Sequence, residues 1–592
     1  MDELQSWNIH DDMNLYITPD RIMVEVNALD RVLIIDRTSS MIKVQFNKKE
    51  LQNLSPNRRV CGILGTIRLV AGDYLLVATH RLYVGMINGA VIWRLAGYDI
   101  IPYIPTTTHL TPKQREHNET YLQMLRKTLD TNYFYFSYDE RYDITHSLQR
   151  KCNMSAEENN LSVIERADSR FVWNGALLKN FQSKEMQQFQ LPLILGFVSI
   201  NQVQINGQTF VWSIISRRSI HKAGTRFYSR GINDDGQVAN FVETEQLVEF
   251  NGERISFVQT RGSMPFFWRQ LPNLRYKPRP HIIPGRDHLN AFNRHFEEQI
   301  AKYGRQVLVN LVDQKGAEGA LETSYRTFAQ QLNNSNIRYE AFDFHAECKK
   351  MRWDRLNILI DRLAHEQEEF SVFHIRDDGR IVSTQHGVFR TNCIDCLDRT
   401  NVVQSMLARR SLNNILQKLG ILHVGQKVES ASPQFDLIFK GVWADNADMI
   451  SLQYSGTGAL KTDFTRTGKR TTAGMMQDGV NSMTRYYLNN FADGFRQDGI
   501  DLFLGRYTVN ASLPSPLEIK HSWRYNAFPS ILIFSIAMLF LTALVPSEFN
   551  TENLLFMLFW GALIGVSISG IFHYGLEFVD WPRLFRPIKF QA

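Results

Sequence analysis

Cys393 and Arg399 stand in a Cys-x5-Arg-Thr arrangement within the run Arg390-Thr-Asn-Cys-Ile-Asp-Cys-Leu-Asp-Arg-Thr-Asn-Val-Val-Gln404, with Asp395 and Asp398 between them. These residue types at this spacing suit phosphoryl transfer. A thiolate is a strong nucleophile, but a free cysteine is mostly protonated at neutral pH. A helix N-terminus and a neighbouring guanidinium lower its pKa and make it reactive. Five intervening residues let the chain wrap once around a phosphoryl group, so that Cys393 attacks phosphorus while Arg399 forks onto the equatorial oxygens. Thr400 can hydrogen-bond the sulfur and help it leave in the second step. An acid has to protonate the departing alkoxide and then activate water against the phosphocysteine. Asp395 is the first choice for that role and Asp398 the second, because the loop itself carries both. Asn392, just before the nucleophile, is grouped with the substrate-binding residues. With backbone N–H groups and an arginine supplying the electrostatics, the chemistry calls for no metal and no cofactor.

Such a loop needs elements to hold it. A strand-like run, Gly387-Val-Phe-Arg390, leads in. A helical run leads out, with Val402, Val403, Met406, Leu407, Leu412, Ile415, Leu416 and Leu419 mostly at helical spacing and Gly420 as its stop. Strand, tight loop and helix together aim N–H groups and the positive end of a helix at one spot, which suits a phosphate. Spacing alone is weak, since Cys-x5-Arg also arises by chance in loops with a free thiol and a buried ion pair. Cys393-Ile-Asp-Cys396 can also be read as a redox pair or half a zinc site. The chain has no other Cys-x-x-Cys to complete such a site.

The run from Arg390 to Gln404 resembles the signature of the Sac-domain (suppressor of actin) phosphoinositide phosphatases. Other stretches similar to that family follow in the expected order: Arg170-Phe-Val-Trp-Asn174, Lys222 to Gly231, Arg261-Gly-Ser-Met-Pro265, Phe342-Asp-Phe-His345 and Trp443 to Arg470. The likeness spans nearly the whole chain and is greatest to the family's integral membrane branch of the endoplasmic reticulum and Golgi. It implies metal-independent hydrolysis of monophosphorylated phosphoinositides. Phosphatidylinositol 4-phosphate comes foremost, then the 3-phosphate, with contact-site or trafficking proteins as possible partners.

Composition agrees with a globular protein that has an added membrane part: 592 residues, 44% hydrophobic and 21% charged. A formal charge of +6 without a dense basic run argues against nucleic acid as a partner. Five cysteines, scattered except for the pair above, form no disulfide framework. The start, Met-Asp-Glu-Leu-Gln-Ser-Trp7, reads as no signal peptide. Residues 1 to about 105 alternate like strands, for example Arg21–Val26, Val32–Ile35, Met41–Phe46, Ile67–Val70 and Tyr74–Val77, with turns at Ala71-Gly-Asp73 and Asn88-Gly89, within a first domain expected at 1–180. Thr111 to Leu129 reads as a helix with Pro112 in its first turn. This half is expected to be a β-rich accessory domain packed on an α/β Cys-x5-Arg phosphatase domain at 181–508.

Within the second domain, Lys222 to Gly231 gathers Lys222, Arg226 and Arg230, so Arg226 and Arg230 are candidates for inositol-ring phosphates. Asn310 to Gly316 follows the apolar strand Val307–Val309 and so lies at a strand's C-terminal end, where α/β folds build sites. Asp343 and His345 alternate with phenylalanines and read as strand residues in a structural pair. Lys461, Arg466, Lys469 and Arg470, in a glycine-rich stretch, are candidates for headgroup or membrane binding. Met483 to Leu504 returns to helical spacing.

A linker at 509–526 precedes two apolar runs, Ala527–Val545 and Leu554–Phe572, each about nineteen residues without a charge and long enough to cross a bilayer. The segment 527–574 is expected to be a transmembrane hairpin and 575–592 a tail. The joint Pro546–Asn553 holds two acids and no Lys or Arg. Lys520 and Arg524 precede the pair of spans, and Arg583, Arg586 and Lys589 follow it. The positive-inside rule then puts both termini in the cytosol. Gly561 and Gly565 are expected to let the second span approach the first. The linker, as a flexible coil about 25 Å end to end, would keep the phosphatase near lipid headgroups. The ending Lys589-Phe-Gln-Ala592 lacks the paired lysines of a dilysine retrieval signal.

Overall fold

The computed structural model describes residues 8–585 apart from 132, 140, 350–351, 519–521 and 545–549. Alternating apolar residues at the start build strands β1 (Met13–Ile17), β2 (Arg21–Val26), β3 (Val32–Asp36), β4 (Ile42–Gln45) and β5 (Arg58–Val60). They form one antiparallel sheet in the order β4-β3-β2-β1-β5. Because side chains alternate along a strand, Met13, Leu15, Ile22, Val24, Leu33 and Ile35 share one face. That face packs on Ile63, Leu75 and Val77 of a second sheet.

The second sheet begins with β6 (Gly62–Leu69), β7 (Gly72–Ile87) and β8 (Ala90–Pro102). Asn88 and Gly89 turn β7 into β8 with φ of +51° and +74°, the left-handed pair a two-residue hairpin needs. Helix α1 (Pro112–Leu129) starts where the sequence places it: Thr111 caps it, Gln114 completes the capping box and Pro112 opens the first turn. Then come β9 (Phe134–Phe136), β10 (Ile194–Ile205), β11 (Gln208–Arg218), β12 (Val242–Phe250) and β13 (Glu253–Arg261). Strand β9 pairs with both β8 and β10, so one continuous sheet runs across residue 180. The β-rich half and the half that follows share that sheet rather than meeting as separate cores.

Beyond β13 the sheet becomes parallel. Helix α2 (His288–Tyr303) leads to β14 (Arg305–Asn310), α3 (Gly319–Leu332) to β15 (Ile337–Ala341), and β16 (Gly387–Asn392) inserts between β14 and β13. Parallel strands are covered on both faces. Phe292, Phe296 and Tyr325 of α2 and α3 cover one side. The other side lies under Leu407, Leu412 and Trp443 of α4 (Asp398–Lys418) and α5 (Pro433–Ser455). Asp343 and His345 are not strand residues: β15 ends at Ala341, and Asp343 caps a one-turn helix, Phe344–Glu347, by accepting the N–H of Ala346 at 2.9 Å. A local side-chain cap outweighs the alternation there.

Two helices, α6 (Thr472–Phe491) and α7 (Asp493–Phe503), close the domain. Helices α8 (Trp523–Leu544) and α9 (Thr551–His573) follow, 22 and 23 residues long, with mean hydropathies of 2.2 and 2.1 and apolar side chains facing outward. At 1.5 Å per residue each is about 33 Å long, enough to span a hydrocarbon core. They pack as a hairpin through Phe528 on Tyr574 and Phe534 on Trp560. The expected role of Gly561 and Gly565 is corrected: nothing lies within 4 Å of a Cβ at either, whereas one at Gly570 would come 2.4 Å from the Phe528 ring. Gly561 is nine residues from Gly570, about half a helical rotation away, and so faces outward. Lys520, the first half of the joint (546–549), Arg586 and Lys589 lie outside the described residues.

The hairpin is not on a loose leash. Leu517 of the linker is buried beside Tyr121 and Leu125 of α1. After α9 the chain returns to the domain. Asp580 N–H donates to Asn490 O at 2.7 Å, and the Asp580 carboxylate accepts Phe495 N–H at 2.9 Å. The N–H groups of Arg583 and Leu584 both reach the Asp498 carboxylate. The first ten residues of the expected tail are therefore part of the folded domain.

Candidate active site

Strand β16 delivers the cysteine loop at the C-terminal end of the parallel strands. Three donors pin the loop's carbonyls: Cys396 Sγ to Cys393 O at 3.3 Å, Arg230 Nη1 to Ile394 O at 2.8 Å and Asn240 Nδ2 to Asp395 O at 3.0 Å. Cys396 takes a left-handed φ of +54° to close the turn. Helix α4 then starts at Asp398 with no side chain capping it. Elsewhere in the chain Thr111, Asp287 and Ser432 satisfy such N–H groups. At the cysteine loop they are left for a ligand, beside a helix dipole that favours an anion.

Asp395 is half-buried and clamped by two guanidiniums, with Arg226 Nη2 at 2.7 Å and Arg230 Nη2 at 2.6 Å. Burial alone would raise its pKa, but the two arginines outweigh it and hold the carboxyl far below the usual range. A carboxylate held in that state has no proton to give, which weighs against Asp395 as the acid and leaves Asp398 as the other choice. The same pairs redirect Arg226 and Arg230 from substrate phosphate to the loop, although Arg226 also lines the cavity. Asp398 is the opposite case. Burial raises its pKa, and it accepts one hydrogen bond, from Leu460 N–H at 2.9 Å.

Arg399 donates to Leu311 O at 2.9 Å and to Asp313 and Glu318 at 3.2 Å. Those partners and the nearby Cys393 keep it charged against burial. Its fork is thus occupied by carboxylates in this state. Thr400 Oγ1 is buried and has no hydrogen-bond partner among the described residues, so the expected bond to the cysteine sulfur is not made. Asn392 Nδ2 is spent on Asn310 Oδ1 at 2.6 Å between adjacent strands, a structural pairing rather than a substrate contact.

The four cations assigned downstream separate. Lys461 lines the cavity. Arg466 pairs with Asp445 and Asp448, and Arg470 with Asp463 and Asp478, so both brace the segment rather than face the loop. Lys469 is exposed and outside the cavity.

The cavity over Cys393 has a volume of 340 Å³. Five basic side chains (Arg226, Lys277, Arg399, Lys461, Arg485) against three acidic ones (Glu318, Asp395, Asp398) make its lining net cationic. A larger cavity of 620 Å³ farther along α4, lined by Met406, Arg409 and Lys440, shares Val402 and Thr465 with the first but none of residues 393–399.

Several of these residues escape sequence reasoning. Arg485 is buried and held by Thr457, Ser451 and Gly458 O. Arg261 ends β13 fully buried, with Asn401 Oδ1 at 3.4 Å as its one side-chain hydrogen-bond partner and no carboxylate among the described residues. Burial pushes it down to about 10, while Cys396 and Cys393 favour its charge, so it places a cation behind the loop. An arginine closing the otherwise uncharged run Ile255–Thr260 was the available signal. Nothing local marks Glu318 or Arg485.

One domain match and three relatives bear on this arrangement. The domain described as "SacI homology domain" matches residues 61–349, which stop short of the cysteine loop. The chain is 65% identical to "Phosphatidylinositol-3-phosphatase SAC1" of Drosophila melanogaster over all of both chains. It is 39% identical to the protein of that name from Saccharomyces cerevisiae, over 89% of this chain and 85% of the relative. It is 36% identical to "Phosphoinositide phosphatase SAC7" of Arabidopsis thaliana, over 99% of this chain and all of the relative.

Proposed function

The chain belongs to the Sac phosphoinositide phosphatase family, and from that premise we propose that it is a membrane-anchored enzyme hydrolysing phosphatidylinositol 4-phosphate, and also the 3-phosphate, to phosphatidylinositol. The activities for which these relatives are named support a phosphoinositide substrate, and two of them a 3-phosphate. The observation that carries the reading is a cysteine set before an uncapped helix N-terminus, in a cationic cavity, on a chain with its own apolar hairpin.

In the proposed reaction the Cys393 thiolate forms an S–P bond as the P–O bond to the inositol ring breaks. Asp398 gives its proton to the departing alkoxide, then takes one from the water that attacks phosphorus and releases the thiolate. Arg399 exchanges its carboxylate partners for phosphoryl oxygens, and Lys461 and the loop N–H groups share the charge. No metal enters this scheme. Residence in endoplasmic reticulum and Golgi membranes, with both termini cytosolic and contact-site or trafficking proteins as partners, belongs to the same proposal.

One observation favours a second reading. Arg399 held by Glu318 would suit a tether that binds phosphoinositides with little turnover. Full-length protein in liposomes decides between them, with phosphate release followed from each monophosphorylated phosphoinositide, with and without EDTA. The enzyme reading expects release from the 4- and 3-phosphates, unchanged by EDTA and abolished in Cys393→Ser. Binding that persists in Cys393→Ser without release by the wild type would support the tether. Preferred turnover of phosphotyrosine peptides would overturn both.

A further inference from the structure

Helix α6 has two unlike faces. Met476, Val480, Met483, Tyr487 and Phe491 recur at helical spacing along one of them, exposed by 70, 58, 76, 58 and 44%. At 100° per residue they fall on one stripe about 80° wide. On the other side Arg485 and Asn489 are buried, and with Ser482 and Tyr486 they line the cavity over Cys393. A continuous apolar stripe of this kind marks a surface that meets something other than water.

Its surroundings say what. The neighbouring loop puts Tyr276 against Tyr486, ring centroids 6.4 Å apart, and Tyr486 OH donates to Leu274 O at 2.8 Å. Arg275, Lys277 and Arg279 of that loop are exposed, and no salt bridge among the described residues holds any of them. Both elements also touch the chain just beyond the second apolar helix. Asn490 O, near the end of α6, accepts Asp580 N–H at 2.7 Å. Gly575 sits so close to the backbone of Asn273 that a Cβ there would lie 2.4 Å from its carbonyl oxygen. Helix α9 ends at His573, so the stripe and the basic loop are fastened within seven residues of a membrane-spanning element.

We propose that α6 is an interfacial helix. Its Met476–Phe491 stripe lies in the bilayer that holds the protein's own hairpin, and Arg275, Lys277 and Arg279 lie over that leaflet's anionic headgroups. The bilayer is the occupant because the helix that carries the stripe is fastened at its end to the chain just beyond the anchor and is flanked by cations, as amphipathic helices at anionic membranes are. The opposite face of the same helix lines the cavity, so docking presents the cavity's mouth to headgroups of that leaflet. This rests on the reading that the substrate is a membrane phosphoinositide.

The test uses the full chain in nanodiscs of phosphatidylcholine and phosphatidylserine, with an environment-sensitive fluorescent amino acid introduced by codon suppression at position 483. Brominated lipid is expected to quench the probe, and aqueous iodide is expected to reach it poorly. In parallel, Val480→Asp combined with Met483→Asp is expected to lower turnover of phosphoinositide in vesicles at least tenfold. Turnover of its water-soluble dibutanoyl form should stay within twofold, which also reports on folding. Free access of iodide without quenching by bromolipid overturns the proposal, whatever the variant's activity. A signal that follows protein density rather than bromolipid identifies a second copy as the occupant and overturns it too. Bromolipid quenching without turnover of either substrate supports the docking and removes the enzymatic reading alone.

Discussion

Arg399 and Glu318 form a two-point pair, Nη1 to Oε2 and Nη2 to Oε1, both at 3.2 Å. The fork that would clasp a phosphoryl group is filled by a carboxylate of the same shape. Phosphate must therefore displace Glu318, and part of its binding energy is spent on that exchange. With both side chains mostly buried, the pair is worth about 1 kcal/mol. We expect Glu318→Gln to tighten inhibition by inorganic phosphate or vanadate about fivefold, while Arg399→Met lowers kcat/KM by about a thousandfold. Weaker inhibition in Glu318→Gln would show that Glu318 positions Arg399 rather than competing for it.

The two loop aspartates should fail in different ways. Asp398→Asn removes the proposed acid and should lower kcat on the lipid about 10²–10³-fold. The loss should be much smaller with an aryl phosphate, whose leaving group needs no proton. Burial raises the Asp398 pKa, so its acid form persists above the ordinary carboxylate range and activity falls as pH rises through that raised value. The variant should lose this alkaline limb. Asp395→Asn leaves the buried Arg230 without its counter-charge and should show up as lost stability, about 3 kcal/mol by chemical denaturation.

The two cysteines are not equivalent. Burial pushes the Cys396 thiol up to about 12, and its proton is committed to Cys393 O, so it is a packing group rather than a nucleophile. Cys396→Ser should keep turnover within about tenfold and still trap labelled phosphate on the protein after an acid quench. Cys393→Ser should trap none. A trapped label in Cys393→Ser would move the nucleophile elsewhere.

Features that depend on neighbours in sequence were legible before the fold was known. The hairpin turn at Asn88-Gly89, the cap at Thr111, the strand and helix around Cys393 and the two apolar helices are all set by local spacing. What escaped depends on chain brought back from afar. Arg230 meets Asp395 across 165 positions and Arg399 meets Glu318 across 81, and each pair changes what its loop residue can do. Asp395 and Asp398 look alike in sequence; only burial with or without two guanidiniums separates a fixed anion from an acid. Spacing likewise failed at Gly561 and Gly565, since a small-residue pair shows that a helix can be approached but not from which side.

The return of the chain to α7 should make stability depend on pH. Asp498 accepts the N–H groups of Arg583 and Leu584, yet burial, with Asp501 and Asp580 nearby, pushes its pKa up to about 7. In the unfolded chain it titrates near the ordinary value of 3.8. Below that value both states are protonated, and the fold carries no penalty from this group. Between there and about 7 the unfolded chain releases a proton that the folded one keeps, so stability falls as pH rises, by up to a few kcal/mol. Asp501 and Asp580, whose pKa values burial also raises, push in the same direction. Asp498→Asn keeps one acceptor oxygen and removes the charge. Its Tm should therefore come closest to the wild type at about pH 4, exceed it at about pH 8 and vary less between them. A lower Tm at pH 8 would mean that the charged carboxylate's two hydrogen bonds outweigh its burial. Amide exchange at Arg583 and Leu584 would then speed up in the variant at pH 8, the reverse of what the raised pKa requires.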